Sequence, residues 1–94
     1  MAGTIKGRML HNGDEAVRFN FELDGVVHKC MVSRELLNDL SQSTSSGDEI
    51  LGEFDAHVEV IMEKTELAIR GGLAGDPLLI PSEMFFPRGR MSRS

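Results

Sequence analysis

The sequence predicts an α+β fold, an antiparallel three-stranded meander plus a short fourth strand, with one short and one long helix packed on one face. Three observations predict it. The stretch Ala16 to Val32 alternates apolar and polar residues on either side of Asp24-Gly25, as a half-buried β-hairpin with a two-residue turn does. Residues 48–70 repeat apolar side chains at helical spacing. The short run Leu78-Leu79-Ile80 is bounded by prolines at 77 and 81, which marks a strand at a sheet margin.

The hairpin carries its own register. With Asp24 and Gly25 in the turn, Leu23 faces Val26, Phe21 faces His28, Phe19 faces Cys30 and Val17 faces Val32, all on one side of the sheet. Arg18, Asn20, Glu22, Lys29 and Met31 line the other side. A slip of one residue would turn the apolar set into water, so the pairing is strongly specified. One-sided alternation also demands a cover, which the helices supply.

A first strand is expected over Thr4 to Leu10, with His11-Asn12-Gly13-Asp14 turning the chain. A strict two-residue loop would pair Arg8 with Val17, and one extra residue would pair Met9 with Val17. A longer or bulged connection is therefore expected, with this strand at an edge. After the third strand, Ser33 stands where an N-cap oxygen accepts from a helix amide, and Glu35 complements the first turn. The short helix runs from Arg34 to about Gln42, with Leu36, Leu37 and Leu40 toward the sheet. Ser43 to Gly47 has the composition of a flexible link.

The long helix is expected from Asp48 to about Arg70. Ile50, Leu51, Phe54, Val58, Ile61, Met62, Ala68 and Ile69 form its core stripe, and Asp48, Asp55, Glu59, Glu63 and Glu66 lie opposite. Carboxylates four apart, Asp55/Glu59 and Glu59/Glu63, weaken it slightly unless a cation stands nearby. Gly71-Gly72 is its stop signal. Gly75, Asp76 and Pro77 turn into the fourth strand, and Met84-Phe85-Phe86 is an apolar anchor beyond it.

Ninety-four residues with 40% hydrophobic content support one core, and so small a domain gains from burial through self-association. Residues 1–86 form that domain, and residues 87–94 read as a disordered basic tail. The single cysteine excludes an internal disulfide. The absence of a leader or a long apolar run leads us to expect a cytoplasmic protein that stays off the membrane. The net charge is −5; setting aside Arg88, Arg90 and Arg93 in the tail leaves −8. Such a body repels phosphate backbones, so nucleic-acid binding is not expected outside that tail.

Val17-x-Phe19, Asp24-Gly25, Cys30-x-Val32-Ser33-x-Glu35-x-Leu37, Leu51-x-x-Phe54 and Leu78-Leu79-Ile80, in this order and spacing, cover residues 15–82. In these motifs the chain resembles the short bacterial proteins grouped as domain of unknown function 1488. The resemblance implies a small cytoplasmic bacterial α+β protein and carries no catalytic residue over.

Chemistry-bearing residues are few. His28 and Cys30, two apart on one strand, point the same way about 7 Å apart. With His57 or His11 brought in by the fold they would make a metal site or an activated thiol. Otherwise Cys30 packs as a small hydrophobe and His28 sits at the sheet margin. The acidic helix face is either a solvated surface, a dock for a basic partner or, with carboxylates four apart, a site for a divalent cation. Val60 and Leu67, seven apart and off the core stripe, suit a second copy, another protein or the Met84-Phe85-Phe86 segment, or are ordinary isolated apolar residues on the surface. Gly71 to Gly75 leaves a helix rather than entering one, which suits capping better than phosphate binding. No set combines nucleophile, base and orienting group. The expected function is accordingly a non-enzymatic protein-interaction or regulatory module without a cofactor, forming a homodimer or binding an unidentified protein. Its candidate surface comprises Asp55, Glu59, Val60, Glu63 and Leu67. The competing readings are a small enzyme or metal-binding protein centred on Cys30 and His28, and a nucleic-acid-linked regulator using the arginine tail.

Overall fold

Asp24 and Gly25 both have positive φ, 54° and 84°, the conformation of a type I′ turn whose twist matches the strands it joins. The turn sets the whole ladder between β2 (Ala16–Leu23) and β3 (Val26–Ser33). In the computed structural model, which describes residues 3–86, Val17 pairs with Val32, Phe19 with Cys30, Phe21 with His28 and Leu23 with Val26, as the alternation predicts. Burial follows along the whole of β2 but only at the far end of β3. Val17, Phe19, Phe21, Leu23, Cys30 and Val32 are buried, whereas His28 is half-buried and Val26 exposed. Both lie on the predicted face by register, His28 at the sheet margin, but the helices do not close over the turn end of β3.

Strand β1 (Gly3–His11) is an edge, antiparallel to β2. Its register differs from both short-loop alternatives, because Leu10 pairs with Val17 across the connection Asn12 to Glu15. Farther along, Ile5 pairs with Phe21 but Arg8 with Phe19. Lys6 and Gly7 therefore oppose Asn20 alone, a β-bulge in which Gly7 takes φ 148°, backbone that favours glycine. At the start of the strand Gly3 lies on the Phe21 ring so closely that a Cβ there would come within 2.0 Å of it.

Helix α1 (Arg34–Ser41) starts as expected, the Ser33 hydroxyl oxygen accepting from the Leu36 amide at 3.0 Å. It ends with Gln42 in the left-handed region and the Ser43 amide donating to the Asn38 carbonyl, the Schellman arrangement without its usual glycine. The following link is tied rather than loose. The Ser43 hydroxyl bonds the Glu53 carboxylate. The Asp14 carboxylate accepts from the Gly47 amide and from Arg34, each at 2.8 Å. Composition missed these ties because their acceptors come from elsewhere in the chain.

The single helix expected over 48–70 is two helices, α2 (Glu49–Ala56) and α3 (Val58–Arg70). His57 leaves the helical region at φ −116°, ψ 23°, and its amide is shared between the Glu53 and Phe54 carbonyls. Neither proline nor glycine marks the junction. The buried residues Ile50, Phe54, Ile61, Thr65 and Ala68 stay in phase across it, which is why periodicity cannot report the break. Thr65 enters this stripe because its hydroxyl donates to the Ile61 carbonyl at 2.7 Å, leaving no buried donor unsatisfied.

After α3, Gly72 takes φ 96° while the Gly72 and Leu73 amides donate to the Ile69 and Ala68 carbonyls, so Gly71-Gly72 caps the helix. Strand β4 is only Leu78–Leu79 and runs parallel to β3, giving the order β1-β2-β3-β4. The 3₁₀ turn Ser82–Met84 then folds Met84, Phe85 and Phe86 against the core margin. The core lies between one face of the sheet and the helices. Phe19 and Phe54 meet at its centre with ring centroids 5.2 Å apart, tilted by 54°, a geometry worth about 0.5–1.5 kcal/mol beyond area burial. The expected arginine tail lies outside the described residues.

Candidate functional site

The acidic face of α2 and α3 is less uniform than its sequence. Because of the bulge in β1, Arg8 stands opposite Phe19 and reaches α2, where its guanidinium grips both Asp55 oxygens at 2.6 Å. This hydrogen-bonded pairing holds the Asp55 carboxyl below its usual range. Glu66 accepts from Arg70, four residues on, at 2.8 Å, and Arg70 also reaches Asp24 at the hairpin turn, 3.4 Å away. Asp48, at the start of α2, and Glu59 and Glu63 on α3 remain. Glu59 and Glu63 stand one turn apart, and among the described residues they have no cation within 4.0 Å. With Gly3, Val60 and Met62 they border an open concavity of about 620 Å³.

Val60 and Leu67 do not act as a matched pair. Val60 is half-buried against the core, while Leu67 is 50% exposed. Of the five residues expected to form one surface, Asp55 belongs to an internal ion pair. Glu59, Val60 and Glu63 share the concavity, and Leu67 stands outside its lining.

Cys30 is fully buried in the core, its thiol directed at the His28 carbonyl 3.7 Å away. Burial pushes the thiol up to about 11, the opposite of what a nucleophile requires. His28 faces a depression of about 500 Å³ beside Lys29, Ile69 and Leu73, and His57 sits at the α2–α3 junction. Among the described residues, no three His, Cys, Asp or Glu side chains come together as metal ligands. The fold therefore does not assemble His28, Cys30 and His57 into one centre.

The solvent face of the sheet carries an arrangement that the sequence reading left unremarked. Met9, Arg18, Met31 and Leu79 form one row across the four strands, and Asn20 and Lys29 lie side by side in the next. Lys6 is paired with Glu22 at 3.2 Å. Arg18 and Lys29 have no carboxylate within 4.0 Å among the described residues. Together with Gly7, Met9 and Asn20 they border a shallow depression of about 360 Å³ above the bulge. The signal was available: both cations fall on the outer face of the hairpin, at diagonal positions, with no acid directly opposite either.

No helix among the described residues is long and apolar enough to cross a membrane. Comparison with protein-family models, with curated proteins and with solved structures finds no match to this chain.

Proposed function

We propose that this chain is a non-enzymatic protein-interaction or regulatory module that engages a basic partner surface through α3. The observation that carries the reading is the pair Glu59 and Glu63. They lie one turn apart beside Val60, Met62 and Gly3 in an open concavity, without a cation partner among the described residues. Elsewhere on the same helical face the carboxylates Asp55 and Glu66 are held by arginines of this chain. Two like charges four apart are retained at a small cost to the helix, and a basic side chain docked between them would reverse that cost. Leu67, half-exposed farther along α3, adds apolar area for a partner or a second copy. The motif order that resembles domain of unknown function 1488 supports placing the chain among those bacterial proteins, and a cytoplasmic location goes with that placement.

The test combines sedimentation of the purified chain with capture from native lysate under nuclease treatment, using wild type, Glu59→Lys/Glu63→Lys and Leu67→Glu. The expected result is a specific partner lost in the double variant, or a dimer lost in Leu67→Glu, with helical content unchanged. A monomer whose captured proteins are the same for wild type and both variants sinks the reading.

A further inference from the structure

We propose that the solvent face of the sheet is a second docking surface, one that binds an acidic protein segment carrying apolar side chains. This chain has a net charge of −5, yet Arg18 and Lys29 are placed diagonally on neighbouring strands of one face and have no carboxylate partner among the described residues. Around them lie Met9, Val27 and Leu79, which are 57%, 56% and 50% exposed, and the half-buried Met31. Exposed apolar residues interleaved with unpaired cations complement a segment of the opposite sign that also has apolar side chains to bury. Methionine suits such a surface because its flexible side chain adapts to different shapes.

Charge selects among occupants. Two copies meeting through this face about a twofold axis would set Arg18 and Lys29 against their own counterparts. A second copy presenting its acidic α3 instead would make a head-to-tail contact, a ring or an open stack, and is read in the titration as self-association of the chain without peptide. Nucleic acid would find no aromatic side chain on this face for stacking, since Phe19 and Phe21 point into the core. An acidic, amphipathic chain from another protein satisfies both the charge and the apolar rim. This surface is opposite the helical layer, so the proposal stands or falls separately from the role of Glu59 and Glu63.

The experiment is a titration of the isotopically labelled full chain, followed by amide chemical shifts, with a soluble amphipathic peptide of glutamate, glutamine and leucine. The same peptide with lysine in place of glutamate, and oligothymidylate, are run beside it. The glutamate peptide is expected to shift the amides of Arg18, Asn20, Lys29 and Met31, more weakly as salt is raised. Arg18→Glu/Lys29→Glu should weaken it by at least about tenfold, and Arg18→Lys/Lys29→Arg should retain it. The amide spectrum itself reports whether each variant is folded. No shift of these amides at millimolar peptide overturns the proposal. So does equal binding of the lysine peptide, which would mark a merely apolar surface, or tighter binding of oligothymidylate at the same amides.

Discussion

The two faces of the β2–β3 ladder are built from alternate residues of the same strands, yet they obey different physics. On the inner face Val17, Phe19, Phe21, Cys30 and Val32 are buried beneath Ile50, Phe54 and Ile61, and the cation at its rim, Arg8, is matched by Asp55. On the outer face Arg18 and Lys29 have no carboxylate partner among the described residues and lie among exposed apolar side chains. The inner face is thus organised by packing within the chain, and the outer face retains both charge and apolar area for contact outside it.

The sharpest contrast is chemical access. Cys30 should resist alkylation until the domain unfolds, slowed by about three orders of magnitude or more relative to unfolded chain, whereas peroxide should oxidise Met9 in the folded state. Rapid labelling of native Cys30 at neutral pH would break the comparison and revive a thiol-centred function. The same burial has an alkaline consequence. The folded thiol titrates near 11 against an ordinary 9.0. The unfolded chain therefore loses its proton first, and stability should hold below 9.0 and decline as pH rises toward 11.

Substitutions rank next. Phe54→Ala removes the ring packed on Phe19 and should cost about 3–5 kcal/mol in denaturant unfolding, while Met31→Ala on the outer face should cost well under half of that. Equal losses would mean that the outer face is also packed. Gly3→Ala forces a Cβ onto the buried Phe21 ring and should cost about 1–3 kcal/mol, read as a lower thermal midpoint. An unchanged midpoint would show that the start of β1 yields easily.

The smallest effect separates the cations of the two faces. The Asp55 carboxyl is held low by its hydrogen bonds to Arg8. Its contribution is present above the ordinary carboxylate value of 3.8 and is lost as pH falls through the folded value. Because both partners are substantially solvent-exposed, Asp55→Asn should remove only a few tenths of a kcal/mol at neutral pH and flatten the acid limb of a stability profile. Arg18→Gln should leave that limb unchanged. An acid limb altered as much by Arg18→Gln would show that the outer cation has a partner within the chain.

The β2–β3 register could be read from residues because turn and alternation agree: Asp24-Gly25 admits positive φ, and only one pairing buries the apolar set. Ser33 was equally readable, since a cap is a local bond to a nearby amide. The β1 register was not, because the Lys6-Gly7 bulge and the connection from Asn12 to Glu15 depend on how the strand lies against its neighbours. The bend at His57 escaped because the buried stripe stays in phase across it. At the candidate surface, sequence located Glu59 and Glu63 but could not see that Arg8, distant in the chain, removes Asp55 from the set. It also placed Arg18 and Lys29 on one face, although their lack of partners emerges only once every acid has a position.

The bulge in β1 has one further consequence, for how this domain can meet other chains. An open sheet ordinarily invites strand addition at its edges, where unpaired backbone groups form a straight template. Here one edge is kinked at Lys6 and Gly7, and at the other the two-residue strand Leu78–Leu79 covers only Cys30 and Met31 of β3. Backbone-to-backbone growth is disfavoured along β1 and beside Leu78–Leu79, whereas residues 26–29 of β3 have no strand beyond them among the described residues, which leaves that stretch as the place where another chain's strand can add.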